Sequence, residues 1–266
     1  MDNAIIKVGF VQTAPVFGEV AANVGRALAA AGESGADVVV LPELFTTGYL
    51  FEDRAEAARY AEPADGPTVR RAAALAADRK MWICGGFCEK AAGGVYNAAF
   101  LVGPAGLAGV YRKSHLFADE KAIFLPGDSG FFTVDAGFAR LGVMICFDWV
   151  FPEAMRTLAL RGADVVLHPS NLVLPYCPDA MVTRCLENRV FAVTADRVGS
   201  DARAGTRLDF IGLSQVTGPD GAILARGSGD RVEARVVAID PARARDKRAT
   251  PHNDLFADRR PDLYEK

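Results

Sequence analysis

The order of strand-like and helix-like segments predicts an α/β protein built as one domain. Short apolar runs that end at Pro, Gly or a charged residue alternate with longer segments whose apolar residues recur at helical spacing. Half of the 266 residues are hydrophobic, so the chain can bury a sizeable core. No linker, low-complexity run or clear repeat interrupts the pattern. Its two halves have similar strand and helix content, which is compatible with two stacked sheets.

The first half of the chain is predicted to contain five strands and two helices. Residues 38–41 are apolar on both faces, as is typical of a strand buried between two layers. Apolar residues at helical spacing predict the helix at 19–33, and Gly66 with Pro67 begins the second helix. The turn at 103–106 joins the last two strands as a hairpin. The predicted elements are strand 5–11, helix 19–33, strand 38–41, helix 66–80, and strands 81–88, 96–102 and 107–111.

The second half continues the alternation after a loop rich in Gly and Pro. The predicted elements are strands 131–134 and 141–145, helix 151–161, strand 164–168, helix 179–190, and strands 191–198, 212–216, 222–225 and 234–239. Residues 241–266 are charged and lack strong periodicity. We therefore predict a single domain over residues 1–240 and a C-terminal tail that is either solvated or in contact with a partner subunit.

Charge and hydropathy exclude two classes of partner. The net charge is −3 and the positive charges are scattered, so the sequence predicts no nucleic-acid surface. No stretch reaches the roughly 18 apolar residues of a membrane span, and the start has no cationic segment followed by a long apolar core. We therefore expect a soluble, cytoplasmic protein without a membrane partner.

The five cysteines do not indicate a disulfide framework, because their number is odd and no export signal accompanies them. The spacing of Cys84 and Cys88 could suggest a pair of metal ligands, but no histidine lies near them in the sequence. Small buried side chains on one strand face explain this pair better. Packing is also the better explanation for Cys177 and Cys185.

Cys146 is the fifth cysteine, and its position indicates chemistry. It lies where a buried strand gives way to a helix that starts at Pro152, and helix N-termini direct backbone N–H groups into such a crevice. Glu43 follows the apolar run 37–42, and Lys113 follows the strand-like segment 109–112. An acid, an amine and a thiol at strand ends are the parts of a nucleophilic hydrolase.

The thiol of Cys146 needs a base, because a free cysteine is mostly protonated at neutral pH. Glu43 is the candidate, since its apolar surroundings would desolvate the carboxylate and raise its pKa. Taken alone, Glu43 could instead be a helix cap or a surface charge, and Lys113 could belong to an ordinary basic loop. A pair of Cys146 with His168, which also ends a strand, is the arrangement found in thiol proteases.

Three segments resemble the signature segments of the carbon-nitrogen hydrolases, the nitrilase superfamily. They are residues 41–49, 111–117 and 142–153, they occur in the order of the family, and each contains the catalytic residue type. The likeness extends from residue 7 to about residue 240. The resemblance implies a four-layer αββα sandwich of the nitrilase-like kind. It also favours a structural position for His168.

The resemblance implies a Glu-Lys-Cys triad formed by Glu43, Lys113 and Cys146. Glu120 matches a second glutamate that the family places in the active site. In such a site Lys113 and the backbone N–H of Phe147 stabilise negative charge on the attacked group. No metal or organic cofactor is required.

Adjacent residues are candidates for supporting roles. Tyr49, Phe117, Trp149 and Asn171 are candidates to line a substrate pocket, although each could equally serve packing. Asp148 is expected to orient the turn after Cys146. Three polar residues on one predicted helix could form a network beneath the site: Arg184, Glu187 and Asn188. Arg197 could bind a substrate carboxylate or form a structural ion pair.

The function expected from the resemblance is hydrolysis of non-peptide carbon-nitrogen bonds. We expect an amidase that converts small aliphatic amides to acid and ammonia through a cysteine thioester. The alternatives are a nitrilase that acts on small aliphatic nitriles and an N-carbamoyl-amine hydrolase. The contrasting hypothesis is a metabolite-binding scaffold without catalysis. The resemblance further implies a homodimer or a larger homo-oligomer.

Overall fold

The structure, a computed structural model, describes residues 5–203 and 205–264. Its strands are β1 (Ile6–Gln12), β2 (Val38–Val40), β3 (Trp82–Ala91), β4 (Gly94–Gly103), β5 (Gly106–Arg112), β6 (Thr133–Asp135), β7 (Arg140–Val143), β8 (Val165–Pro169), β9 (Phe191–Ala195), β10 (Val198–Arg203), β11 (Thr206–Ile211), β12 (Gln215–Thr217), β13 (Ile223–Arg226), β14 (Glu233–Ile239), β15 (Arg248–Thr250) and β16 (Asn253–Asp254). Its α-helices are α1 (Val20–Glu33), α2 (Arg54–Tyr60), α3 (Pro67–Arg79), α4 (Glu120–Ile123), α5 (Pro152–Leu160) and α6 (Cys177–Asn188). Three 3-10 helices span Cys146–Val150, Pro241–Ala244 and Pro261–Leu263.

Two six-stranded sheets pack face to face. The first has the strand order β14-β1-β2-β3-β4-β5, and the second has the order β13-β12-β9-β8-β7-β6. Val38 and Val40 of β2 pack into the core between the sheets, whereas Val39 packs on the other side among residues of α1 and α3. Helices α5 and α6 cover the outer face of the second sheet. The predicted four-layer αββα sandwich is confirmed.

The parallel strands bring the candidate residues to one edge of the sandwich. Strands β1, β2 and β3 are parallel neighbours in the first sheet, as are β7, β8 and β9 in the second. Glu43 follows the carboxyl end of β2, Cys146 follows β7, and Asn171 follows β8. The backbone N–H of Glu43 donates to the carbonyl of Ser170 at 3.3 Å, which joins the ends of the two sheets. Lys113 follows β5, which runs in the same direction as β2.

Most predicted elements are present, but two strand boundaries were wrong. The strand expected at 191–198 ends at Ala195, and the strand expected at 212–216 begins only at Gln215. Gly212 and Leu213 have φ angles of 61° and 57°, in the left-handed region, so the backbone cannot be extended there.

The short helices α2 and α4 and the hairpin formed by β10 and β11 were not predicted. In β10 only Val198 and Asp201 are buried, so the hairpin has no apolar alternation for sequence analysis to detect. No helix in the described part of the chain is both long and apolar enough to cross a bilayer.

The described part of the C-terminal tail, residues 241–264, packs on its own chain. The Lys247 ammonium donates to the carbonyls of Asn188 and Arg189 at 3.1 and 2.9 Å, at the C-terminal end of α6. Cations stabilise this end of a helix because its last carbonyls have no partner within the helix. Residues 265 and 266 of the predicted tail, and residues 1–4 and 204 of the predicted domain, lie outside the described residues. The domain boundary and a subunit contact by the tail stay predictions.

Gly86 of β3 allows the close approach that places Glu43. A Cβ atom at this position would lie 2.5 Å from the Cα of Glu43 and 2.6 Å from the backbone nitrogen of Leu44. The contact is with backbone, which cannot move aside as a flexible side chain would. Only glycine therefore fits under the strand end that carries Glu43.

We expect Gly86→Ala to lower the free energy of unfolding by about 1–3 kcal/mol, because overpacked backbone must shift. Urea denaturation followed by circular dichroism measures this change. Gly25→Ala in α1 is the matched control, since its nearest atom would be the Arg71 Nη2 at 3.8 Å. Alanine in a helix should leave the control as stable as the wild type or about 0.5–1 kcal/mol more stable. Equal stability of the two variants would contradict this account of Gly86.

Candidate active site

Cys146 occupies a strained turn between strand and helix. It is the first residue of the 3-10 helix that follows β7, and its φ angle of 41° lies in the left-handed region. A non-glycine residue adopts this conformation only where its surroundings enforce it, and such residues cluster at functional sites. The side chain is 6% exposed.

Asp148 fixes this turn. Its carboxylate accepts the backbone N–H of Ile145 at 2.9 Å, and its own N–H donates to the Ile145 carbonyl at 3.0 Å. The carboxylate is held in turn by the Tyr111 hydroxyl at 2.8 Å and lies 2.7 Å from the His115 Nδ1. Asp148 is fully buried, so these contacts compensate its lost hydration. The geometry agrees with the expectation that Asp148 orients the turn.

Lys113 connects the two candidate carboxylates. Its ammonium donates to the Glu43 Oε1 at 2.7 Å and to the Glu120 Oε1 at 2.8 Å. The side chains of Lys113 and Glu43 are fully buried, and that of Glu120 is 4% exposed. The structure thus brings three of the predicted residues into one desolvated cluster of charges.

Asn97 and Tyr49 add further hydrogen bonds to this cluster. The Asn97 Nδ2 donates to the Glu43 Oε1 at 2.6 Å, and the Tyr49 hydroxyl donates to the Glu120 Oε1 at 2.6 Å. Asn97 was not predicted from the sequence. The available signal was a single amide within the otherwise apolar run of β4, where an unpaired polar group would be costly.

Burial raises the pKa of Glu43 to about 7, although the positive charge of Lys113 opposes the change; the negative charge of Glu120 raises the pKa further. The second oxygen, Glu43 Oε2, is buried and has no hydrogen-bond partner among the described residues. Burial lowers the pKa of Lys113, but the carboxylates of Glu120 and Glu43 more than compensate, so its pKa is raised overall. The amine therefore stays an ammonium at neutral pH.

The Cys146 thiol is protonated in the resting site. Burial and the charge of Glu43 raise its pKa, while Lys113 acts in the opposite direction. The Sγ donates to the backbone carbonyl of Asn171 at 3.8 Å, the hydrogen bond that the structure describes for it. Within residues 5–203 and 205–264, no oxygen accepts the backbone N–H of Phe147, as is usual in the first turn of a helix.

His168 has a structural environment. Its Nε2 lies 2.9 Å from the backbone carbonyl of Cys146 and its Nδ1 lies 3.0 Å from the Thr194 Oγ1. Burial lowers its pKa to about 4, so the ring is neutral. Both ring nitrogens thus contact groups other than the thiol, which disfavours the thiol-protease arrangement.

An apolar cavity of about 130 Å³ opens at Cys146. Of the predicted substrate contacts, Phe117, Trp149 and Asn171 line it together with Phe147. The other lining residues, which sequence analysis missed, are Val150, Leu172, Val173, Leu174 and Tyr176. The fourth candidate, Tyr49, lines a separate cavity of about 90 Å³ beside Glu120.

Polar contacts support the site from α6 and from β10. Arg184 donates to the Trp149 carbonyl at 3.0 Å and to Glu187 at 3.1 Å, which ties α6 to the 3-10 helix after the cysteine. Arg197 is 1% exposed and forms a bidentate ion pair with Asp201, with N–O distances of 3.0 and 3.1 Å. Arg197 is therefore engaged in a structural ion pair.

The carbon-nitrogen hydrolase family model matches residues 7–249. The chain belongs to the carbon-nitrogen hydrolase family. A nitrilase of Pyrococcus abyssi (strain GE5 / Orsay) is 47% identical to this hydrolase over 264 residues, which are 98% of this chain and 99% of that protein. An (R)-stereoselective amidase of Pseudomonas sp is 36% identical over 262 residues, 96% of this chain and 92% of that one.

A solved structure confirms the fold of this hydrolase. The crystal structure of a carbon-nitrogen hydrolase from Helicobacter pylori G27 superimposes with a TM-score of 0.88 and 27% sequence identity. The likeness covers 98% of this chain and 97% of that one. The predicted family membership is thus confirmed by sequence and by structure.

The raised pKa of Glu43 predicts how the activity of this hydrolase depends on pH. If Glu43 is the base expected from the sequence, it must be ionised to accept the thiol proton, so kcat/KM should fall as the pH drops through an apparent pKa near 7. This apparent pKa belongs to the coupled acids, amine and thiol rather than to one group. Rates of ammonia release between pH 5 and 9 measure the profile.

A variant tests the origin of this pH dependence. The hydrogen bond from Asn97 lowers the pKa of Glu43, so Asn97→Ala should move the acid limb upward by about one pH unit. Asn253→Ala removes an exposed amide and should leave the profile unchanged. A profile that is flat from pH 5 to 8, or a downward shift in Asn97→Ala, would refute the assignment of Glu43.

Proposed function

We propose that this hydrolase converts small, neutral amides with an apolar acyl group to the acid and ammonia through a thioester on Cys146. The observation that carries this proposal is the free oxygen of Glu43. Among the described residues its Oε2 is buried without a hydrogen-bond partner, while Oε1 accepts hydrogen bonds from Lys113 and Asn97. A buried oxygen without a partner among the described residues, on a carboxylate whose charge raises the pKa of the Cys146 thiol, is suited to accept the thiol proton.

In the first step Glu43 accepts the thiol proton while the Cys146 sulfur attacks the amide carbon. The carbonyl oxygen becomes an oxyanion, which the Lys113 ammonium and the backbone N–H of Phe147 stabilise. Two of the three ammonium protons are used by carboxylates, so one remains for the oxyanion. Loss of one such donor typically lowers the rate by about 10²–10³-fold.

In the second step the protonated Glu43 donates its proton to the departing nitrogen, and the C–N bond breaks. Ammonia leaves and the acyl group stays on sulfur as a thioester. Glu43 then takes a proton from water and the hydroxide attacks the thioester carbon. The C–S bond breaks to release the acid, and the proton on Glu43 returns to the departing sulfur, which restores the thiol and the carboxylate. Glu120 holds Lys113 in place through its 2.8 Å ion pair.

The lining of the cavity at Cys146 supports a neutral acyl group. The described residues that line it are aromatic or aliphatic apart from Cys146 and Asn171, and none carries a full charge. A charged substrate group would be desolvated there without a partner. Both side-chain polar atoms of Asn171 are buried without partners among the described residues, so this amide is suited to bind one polar group of the substrate.

Nitrile hydrolysis is the second candidate, and the relative named a nitrilase, at 47% identity, favours it. The same sulfur would attack the nitrile carbon to give a thioimidate, and addition of water followed by loss of ammonia would give the same thioester. N-carbamoyl amines rank behind both candidates, because those with a charged amine or carboxylate would find no counter-ion among the residues that line the cavity.

Membership of a hydrolase family argues against a scaffold that only binds a metabolite. The homodimer, the cytoplasmic location, the absence of a nucleic-acid partner and the lack of a cofactor requirement stay predictions from the sequence.

Ammonia release from a substrate panel tests this function. We expect butyramide and isobutyramide to be hydrolysed with the highest kcat/KM, ahead of butyronitrile and well ahead of N-carbamoylputrescine and N-carbamoylglycine. Cys146→Ala should lose activity by about 10⁴-fold or more, because the nucleophile is absent. Cys185→Ala removes a buried thiol of α6 and is the matched control. Full activity of Cys146→Ala, or a preference for charged carbamoyl compounds, would overturn the proposal.

A further inference from the structure

The hairpin of β10 and β11 lies outside both six-stranded sheets and is attached to the loop that follows Glu43. Asp201 of this hairpin is 5% exposed. Its Oδ2 accepts the backbone N–H of Tyr49 at 2.9 Å and that of Leu50 at 3.2 Å. A buried carboxylate that accepts two backbone N–H groups fixes the position of that backbone.

Arg197 holds Asp201 in this position. Its guanidinium pairs with both oxygens of Asp201 and also donates to the Pro15 carbonyl at 3.1 Å. It stacks on the Phe210 ring at 4.1 Å, and the same ring meets the Tyr49 ring edge-on at 6.0 Å. Asp201 therefore fixes the backbone of Tyr49, and Phe210, packed on Arg197, fixes its ring.

A second attachment holds the same loop. Arg203 at the end of β10 donates to the Leu50 carbonyl at 2.9 Å and to Glu56 at 2.8 Å, and it stacks on Phe17 at 3.6 Å. The loop is thus fastened to the hairpin on both sides of Leu50.

Tyr49 connects the hairpin to the charged cluster. Its hydroxyl donates to the Glu120 Oε1 at 2.6 Å, and this oxygen also accepts the Lys113 ammonium at 2.8 Å. A shift of Tyr49 therefore moves the oxygen that orients the ammonium. Small displacements of a charge-stabilising donor are costly in rate, because it must lie where charge develops.

We propose that Asp201 is a positioning residue that acts through Tyr49 and Glu120 on the Lys113 ammonium. The hairpin then controls the geometry of the group that stabilises the oxyanion. This inference rests on the proposed function, and it gives Tyr49 a role other than substrate contact. A substrate contact would change KM, whereas a positioning role changes mainly kcat.

The first test is Tyr49→Phe, which removes the hydroxyl and keeps the ring. We expect kcat to fall by about 10- to 100-fold with KM within about 2-fold of the wild-type value, because a hydrogen bond to a charged group is lost. A rise in KM with unchanged kcat would show that Tyr49 binds substrate, and would overturn the inference.

The second test is a double-mutant cycle with Asp201→Asn. Alone, this substitution should lower kcat by about 5- to 10-fold. In the Tyr49→Phe background it should lower kcat by less than about 2-fold, because the path to Glu120 is already broken. Asp209→Asn makes the same charge change on β11, at an exposed residue paired with Arg207, and should leave kcat unchanged. If Asp201→Asn lowered kcat by the same factor in both backgrounds, action through Tyr49 would be refuted.

A readout without substrate separates this inference from the proposed function. The rate at which iodoacetamide alkylates Cys146, followed by peptide mass spectrometry, depends on the same charged cluster. The effects of Asp201→Asn and Tyr49→Phe on the alkylation rate should also be non-additive, even if no amide on the panel is hydrolysed. Additive alkylation rates would overturn the positioning role alone. If Asp201→Asn does not fold, Arg197→Lys perturbs the same ion pair and must show the same dependence on Tyr49.

Discussion

A buried ammonium shared by two buried carboxylates is the interaction on which the rest of the site depends. Removing such charges from water costs several kcal/mol per ion, and close pairing compensates this only with good geometry and additional hydrogen bonds. Lys113 lies 2.7 Å from Glu43 and 2.8 Å from Glu120, and Asn97 and Tyr49 supply the further donors. The cluster exists only if segments far apart in the sequence are held within hydrogen-bond distance.

The two packed sheets hold these segments within hydrogen-bond distance of one another. Parallel strands end at one edge, so residues that follow β2, β7 and β8 meet there, and the bond from the Glu43 N–H to the Ser170 carbonyl joins the sheets at that edge. Gly86 lets β3 pass directly beneath Glu43. In the second sheet, Asp148 holds the turn after β7 in which Cys146 adopts its strained conformation. Glu43 and Lys113 follow strand ends, Glu120 lies on α4, and the turn held by Asp148 carries the nucleophile.

The sequence was sufficient for most elements and for the charged candidates, because apolar strands followed by a polar residue are a local signal. The four-layer arrangement was predicted from the resemblance to the family. It was insufficient wherever a contact depends on polar residues brought together by folding. Asn97 interrupts an apolar strand without revealing its partner. Asp201 lies in a hairpin with little apolar pattern. The left-handed backbone at Gly212 and Leu213 places the start of β12 at Gln215. Glycine permits this conformation, but a leucine rarely adopts it, so the sequence does not show that both residues do.

The most direct test of the central claim is to look for the acyl group on Cys146 during turnover. Wild-type enzyme is mixed with butyramide, quenched in acid within the first turnovers and digested, and the peptides are analysed by mass spectrometry. Our account predicts a butyryl adduct on the peptide that contains Cys146, and its loss when the quench is delayed until the amide is consumed. Ammonia release with this peptide unmodified throughout, or an adduct on another residue, would contradict it.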